Sequence, residues 1–167
     1  HPYRDFYSAD YPNGIPFENM QVTDPVRQQY LWREIAISQI KEGEMPLWNP
    51  YNFSGYPLLA NFQSAVFYPL NFTMLLLPFE YGWTFLIVSQ TFFAFIFMFL
   101  YLRNLKISKE GSFIGSLAFG FSGFFISWLE WGNIVSTGLW LPLVLLCIDK
   151  IFQKSKIKNV WSLIFVV

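Results

Sequence analysis

The feature that most constrains this chain is the run "GWTFLIVSQTFFAFIFMFLYL" at residues 82–102, which contains no charged side chain. As an α-helix, which rises about 1.5 Å per residue, it would measure about 31 Å, and the hydrocarbon core of a bilayer is about 30 Å thick. The run therefore predicts a transmembrane helix, since helices satisfy their own backbone polar groups in lipid.

Further apolar runs predict transmembrane helices at 111–129 and 134–149, and another begins at residue 160 and reaches 167. The run 111–129 contains Gly111 and Gly115, small residues that favour close helix packing in lipid. The predicted fold class is an all-α integral membrane protein with several transmembrane helices. Because the last span is cut short, we expect the chain to be a piece of a larger membrane protein.

Two clusters of basic residues lie between the predicted spans, in the loops 103–110 and 150–159. Loops that face the cytoplasm are enriched in Lys and Arg, so both loops are predicted to be cytoplasmic. Residues 1–80 and the turn 130–133 then lie on the opposite, extracytoplasmic side. We expect a multi-pass protein whose long first loop lies outside the membrane.

Composition excludes several classes of function. Only 13% of the residues are charged and the net charge is zero, which argues against a nucleic-acid partner. The single cysteine, Cys147, forms no disulfide framework or thiolate metal site. Because His1 is the one histidine, a Ser-His-Asp or Cys-His catalytic centre cannot be assembled without that first residue.

Within the outer loop, "TDPVRQQYLWREIAISQIKEGE" predicts a helix over about 24–42. Asp24 is expected at the N-cap, Pro25 at the first helical position and Gly43 at the stop. A largely apolar stripe predicts that this helix lies flat at the membrane surface. The stripe consists of Val26, Tyr30, Arg33, Ile37 and Ile40.

The next segment, "MPLWNPYNFSGYPLLANFQSAVFYPLN" at 45–71, carries no charge, but four prolines and several turn residues interrupt it. This pattern predicts irregular backbone. Such backbone is tolerated near a membrane only where protein buries it or where it lines a wet cavity. We therefore expect the segment 45–71 to line a cavity at the outer face.

Two acidic residues are the leading candidates for chemistry. Asp24 either caps the helix, which is worth about 1 kcal/mol, or accepts a proton from a hydroxyl nucleophile, and the two roles are compatible. Glu130, in the outer turn between two tryptophans, either orients a sugar or is a solvated turn residue. Arg27 and Arg33 on the outer helix are candidates for contact with a phosphate or with lipid headgroups.

No cofactor is indicated with certainty. A divalent metal is an alternative that the sequence leaves open, because several carboxylates of the outer loop are oxygen ligands of the kind that hard cations prefer. These are Asp5, Asp10, Glu18 and Glu44. Their spacing matches no established metal-binding loop.

Two stretches, "ENMQVTDPVRQQYLW" and "GEMPLWNPYNFSGYPLLANFQSAVFYPLN", resemble the YfhO-like family of bacterial membrane proteins. "SLAFGFSGFFISW" and "LWLPLVLL" are similar to later stretches of the proteins in that family, so the resemblance covers most of residues 19–152. The family belongs to the wider GT-C group of polytopic glycosyltransferases. The resemblance implies a GT-C-like fold, a location in the bacterial cytoplasmic membrane and a first span upstream of His1.

The resemblance also implies a reaction. GT-C enzymes take a sugar from a polyprenyl-phosphate donor, and here the acceptor would be a glycan or polymer of the cell envelope. Asp24 would be the base, the product would have inverted configuration, and Glu130, Arg27 and Arg33 would contact substrate. The segment 45–71 would offer further sugar-binding rings and amides. These are Trp48, Asn49, Tyr51, Asn61 and Gln63.

Two other interpretations stay open. The protein either binds or transports a lipid-linked glycan without catalysis, or serves as a structural subunit in envelope assembly. A transporter favours charged residues within its spans, and the runs 82–102 and 111–129 have none. A structural subunit would need Asp24 only as a helix cap.

Overall fold

The computed structural model of the chain describes Ala9, Pro12 and the continuous range 23–154. Within that range, three helical segments are long and apolar enough to cross a membrane: Phe79–Asn104, Lys109–Trp131 and Ile134–Gln153. The protein is therefore compatible with an all-α membrane fold. The predicted span at 160–167 lies outside the described residues.

The first of these segments is a continuous helix, and the second is broken. Helix α3 runs over Phe79–Asn104, longer at both ends than the predicted 82–102. The second segment is α4 at Lys109–Gly120 followed by α5 at Gly123–Trp128. The Ser122 Oγ accepts a hydrogen bond from the amide of Phe125 at 3.4 Å, so a new helix start interrupts the predicted span 111–129.

The third segment is also built from two helices, α6 at Ile134–Gly138 and α7 at Leu141–Lys154. Helix α7 packs against α3. The prediction that a loop begins at residue 150 is wrong, because the backbone stays helical through Lys154. At this end Asp149 accepts hydrogen bonds from Asn104 of α3 and from Gln153, which stabilises the additional turn.

In the outer part of the chain, the predicted helix 24–42 is a π-helical start, Pro25–Tyr30, that continues into helix α1, Leu31–Lys41. We call Pro25–Lys41 the loop helix. Asp24 has helical dihedral angles and its side chain makes no capping hydrogen bond. The predicted cap is therefore wrong, since capping needs an extended residue whose side chain turns back to the following amides.

The apolar stripe of the loop helix does not lie flat on lipid as predicted. Ile37 and Arg33 are buried against other parts of the chain, whereas Val26 is 69% exposed. Trp32 and Ala36, outside the stripe, are buried in a second cluster with Leu58. The helix is thus buried by protein on two adjoining faces, which an interpretation based on a single stripe misses.

Short regular elements interrupt the segment 45–71, which was predicted to be irregular. Strands β1 (Trp48–Asn49) and β2 (Tyr56–Pro57) form an antiparallel pair in which Trp48 faces Pro57. Two 3₁₀ turns follow at Phe62–Ser64 and Pro69–Phe72, and the short helix α2 at Thr73–Leu76 leads to α3. We call residues 48–57 the hairpin.

Two apolar clusters attach these outer elements to the spans. Leu58 and Val66 pack with Trp32 and Ala36 of the loop helix. On the other side, Ile37 shares a cluster with Met74 of α2 and Leu86 of α3. Burial of each Leu, Ile, Val or Met side chain in these clusters stabilises the fold by about 1.5–3 kcal/mol, so the outer segment is held as a folded layer on the end of α3.

The turn of the hairpin depends on Gly55. Gly55 has φ +101°, and a Cβ atom at this position would lie 2.3 Å from Nε1 of the Trp48 ring. We predict that Gly55→Ala lowers the free energy of unfolding by about 2 kcal/mol, because the backbone conformation is unfavourable and the indole must move. Thermal unfolding in detergent measures the change.

Gly43→Ala is the matched control. Gly43 also has positive φ, +82°, but a Cβ there meets no atom within 4 Å. Only the backbone penalty, about 1 kcal/mol, applies to it. Equal losses for the two variants would show that the contact between Trp48 and Gly55 does not stabilise the hairpin.

Candidate functional site

The outer elements meet the spans at Arg33, whose side chain is completely buried. Its Nη2 donates to the carbonyl oxygen of Gly132 at 2.8 Å. Its Nη1 lies 3.1 Å from the backbone oxygen and 3.2 Å from the Oε1 of Gln29. The guanidinium also lies over the ring of Trp83, 5.4 Å from its centroid. Arg33 therefore joins the loop helix, the outer turn and α3.

All hydrogen-bond acceptors of Arg33 among the described residues are uncharged, and its Nε has no partner there. Burial lowers the pKa of Arg33 from its ordinary value to about 10, so the side chain still carries its charge at neutral pH. Buried cations are usually paired with anions, because removal from water is costly. A positive charge is thus fixed beneath the outer turn.

A polar network extends from Arg33 into the spans. The carbonyl oxygen of Gly132 also lies 2.9 Å from the Oγ of Ser136 in α6. That hydroxyl is 3.1 Å from Oε1 of Gln90, which lies in α3. The Nε2 of Gln90 donates to the carbonyl of Leu129 at 3.2 Å. The network holds the turn between the second and third spanning segments in one position.

The segment 45–71 joins this network through Tyr68. Its hydroxyl lies 3.3 Å from the carbonyl oxygen of Ser136 and donates to it. Burial raises the pKa of Tyr68, so the hydroxyl keeps its proton at neutral pH and remains a donor. Tyr68 therefore attaches the outer segment to α6, next to Arg33.

Asp24 and Arg27 lie on the exposed surface of the loop helix. They are three residues apart, at the π-helical start of that helix. The Oδ1 of Asp24 accepts a hydrogen bond of 3.4 Å from the Nε2 of Gln28. The π-helical start that carries Arg27 packs against the turn Leu129–Trp131.

Glu130 lies on that turn and is exposed. The turn is a single 3₁₀ turn over Leu129–Trp131, and Gly132 follows in the left-handed conformation at φ 64°. The rings of Trp128 and Trp131 contact each other, with 5.0 Å between centroids. Two carboxylates, Asp24 and Glu130, are therefore carried by elements that contact each other.

The two asparagines predicted to bind a sugar both make hydrogen bonds that support the backbone. Asn49 is completely buried, and its Oδ1 accepts a hydrogen bond from the amide of Tyr51 at 3.0 Å. Asn61 is half-buried, and its Oδ1 accepts from the amide of Gln63 at 3.2 Å, which caps the 3₁₀ turn. Short polar side chains satisfy turn backbones in this way.

The other side chains predicted to contact substrate are accessible. Tyr51 is 78% exposed and Trp48 is 49% exposed. Gln63 is exposed, and its Oε1 lies 3.4 Å from the Nε2 of Gln29, within reach of the Arg33 network. The predicted set is therefore divided: Asp24, Arg27, Glu130, Trp48, Tyr51 and Gln63 have accessible surface, whereas Arg33 and Asn49 have none.

Of the four carboxylates proposed as ligands of a divalent metal, the structure describes one. Within the described residues, no group of three His, Cys, Asp or Glu side chains is placed to hold a metal ion. Glu44 is described and exposed. Asp5, Asp10 and Glu18 lie outside the described residues.

The network is completed by three residues that were not predicted from the sequence: Tyr68, Gln90 and Ser136. The position of Gln90 could have indicated a role in the network, because it is a strongly polar residue inside a run that is otherwise predicted to face lipid or other helices. Nothing in the sequence distinguishes Tyr68 from the many other aromatic residues of its segment.

Comparison of the chain with protein-family models, with curated proteins and with solved structures finds no significant match.

The buried position of Arg33 generates a test of the network. We predict that Arg33→Lys lowers the free energy of unfolding by about 1–3 kcal/mol, because one ammonium cannot bridge Gln29 and Gly132 as the planar guanidinium does. Arg27→Lys, the same change at an exposed position, is expected to have an effect of about 0.5 kcal/mol or less. Thermal unfolding in detergent compares the two, and equal effects would contradict the stabilising role of Arg33.

Proposed function

We propose that this chain is part of a membrane glycosyltransferase of the GT-C type. It transfers a sugar from a polyprenyl-phosphate donor to an envelope glycan or polymer, at the outer face of a bacterial cytoplasmic membrane. The observation that best supports this proposal is the exposed, non-capping carboxylate of Asp24. Its carboxylate is exposed, does not cap its helix, and belongs to a helix that Arg33 holds against the outer turn.

In this proposal Asp24 is the general base. Its carboxylate accepts the proton of an acceptor hydroxyl as that oxygen attacks the anomeric carbon of the donor sugar. The bond from the anomeric carbon to the phosphate oxygen breaks, and the lipid phosphate leaves with the bonding electrons. Attack opposite the leaving group inverts the configuration at that carbon.

Arg27 is the cation best placed to stabilise the departing phosphate. It is exposed and lies three residues from Asp24, at the same end of the loop helix. Fixed positive charge near a group that becomes negative in the transition state lowers the barrier. Arg33, named with Arg27 from the sequence, has no accessible surface and already donates to backbone oxygens, so its proposed task is to support the site.

The accessible neighbours supply recognition of the sugar. The ring of Trp48 is exposed and offers a face on which a sugar stacks. Gln63 offers an amide for hydrogen bonds to hydroxyl groups, and Glu130 offers a carboxylate from the outer turn. Asn49 and Asn61 hold the backbone that carries Tyr51 and Gln63.

We predict that Asp24→Asn lowers the rate of sugar transfer by about 10²–10⁴-fold, because an amide cannot accept the proton. The assay is transfer from a polyprenyl-phosphate sugar by the full-length parent protein in detergent or liposomes, since we expect the chain described here to be inactive by itself. Thermal stability is expected to change little, since Asp24 makes no capping hydrogen bond and Asn is nearly isosteric.

Glu34→Gln is the matched control, since Glu34 is an exposed acid on the same helix and has no assigned role. It is expected to retain transfer. Transfer at the normal rate by Asp24→Asn would exclude Asp24 as the base. Donor binding without transfer by the unmodified protein would favour a protein that binds or transports a lipid-linked glycan. If neither binding nor transfer occurred, a structural subunit of envelope assembly would be favoured.

A further inference from the structure

We propose that the tip of the hairpin, Tyr51–Ser54, inserts its aromatic rings into the outer headgroup region of the bilayer that the spans cross. The hairpin would then act as a second membrane anchor beside α3. This proposal concerns lipid contact alone and does not rest on the glycosyltransferase assignment.

The tip presents large rings to its surroundings. Phe53 is 96% exposed and Tyr51 is 78% exposed. Phe53 and Ser54 both have positive φ, 53° and 61°, a backbone conformation that is uncommon for residues other than glycine. The turn thus holds an apolar ring outward, away from the clusters that bury Leu58 on the same segment.

The absence of charged residues around the tip indicates that this surface contacts lipid. Residues 45–79 contain no charged side chain, and the first acid after them is Glu80 at the start of α3. An outer loop that contacts only water would be expected to carry charges, whereas Trp, Tyr and Phe are enriched where a bilayer meets water. Exposed apolar residues continue through the same stretch to the lipid-facing surface of α3. They are Phe62, Phe67, Phe72, Leu76, Leu77, Tyr81, Phe85 and Val88.

The hairpin is attached near the start of α3. Tyr30 of the loop helix contacts Phe79, with 4.7 Å between ring centroids. Ile37 of the same helix belongs to the cluster that also contains Phe79 and Leu86 of α3. Because Leu58, which follows the hairpin, packs on Trp32 of the loop helix, the hairpin lies near the end of α3 at which the predicted span begins.

The length of α3 is compatible with a hairpin at headgroup level. Its 26 residues span about 39 Å, about 9 Å more than the hydrocarbon core, so slightly less than one turn extends into the headgroup region at each end. The exposed charged residue Lys41 ends the loop helix, and the exposed acids Glu42 and Glu44 lie between that helix and the hairpin. They limit insertion to the headgroup level, since charges are costly in the hydrocarbon core.

Site-specific fluorescence tests the proposal. Cys147 is the single cysteine, so Cys147→Ser gives a background without thiols. Phe53→Cys and, as control, Glu34→Cys are labelled with an environment-sensitive fluorophore in the protein reconstituted into liposomes. We expect a nitroxide on the lipid headgroup to quench the Phe53 label at least about threefold more than the Glu34 label, and aqueous iodide to quench it less.

Tyr51→Cys gives a second labelling site at the tip if Phe53→Cys unfolds. Equal quenching of tip and control labels by both quenchers would overturn the proposal. A tip label shielded from iodide only after an oligosaccharide is added would instead assign the rings to sugar binding. A tip label shielded from both quenchers, with energy transfer between labelled copies, would assign the surface to self-association.

Discussion

The outer half of this protein depends on one buried contact, the hydrogen bond from the Arg33 guanidinium to the carbonyl oxygen of Gly132. It joins two parts of the chain that are 99 residues apart. A buried cation tolerates few alternative positions, because any displacement would leave its charge without hydrogen-bonding oxygens. The loop helix and the outer turn are therefore held in one relative arrangement, and this is the arrangement that brings the elements carrying Asp24 and Glu130 together.

The network around this contact explains why the outer segment has a defined fold although it has little regular structure. Ser136 and Gln90 continue the network into the spans, and Tyr68 attaches the segment that comes after the hairpin. Buried polar groups stabilise a structure only when they are hydrogen-bonded, and they then specify it strongly. The exposed side chains are therefore a different set from the buried side chains that hold the outer segment in place. We propose that the exposed acids, Arg27 and the ring of Trp48 form the site, and that Arg33 and Asn49 hold it.

The apolar residues of the outer segment are likewise divided into a buried set and an exposed set. Trp32, Leu58 and Val66 are buried within the outer layer, whereas Phe53 and Phe62 are almost fully exposed. In water such rings would be costly to leave uncovered, but in a protein with apolar spans the bilayer offers a second apolar environment. The outer segment therefore has two apolar surfaces with different partners, one facing the loop helix and one that we propose faces lipid.

Local composition predicted the three helical segments that are long and apolar enough to cross a membrane, because an uncharged run of sufficient length predicts such a helix without knowledge of its neighbours. It also predicted the helix that begins near Pro25. Tertiary structure decided what each polar residue does. Arg27 and Arg33 are both arginines of one helix, yet Arg27 is exposed and Arg33 is buried. Asp24 was predicted as a cap from its place before a proline, and only the fold shows that its backbone is helical. Burial and hydrogen bonding depend on which distant segments meet. Arg33 meets the outer turn at Gly132, which is 99 residues away along the chain.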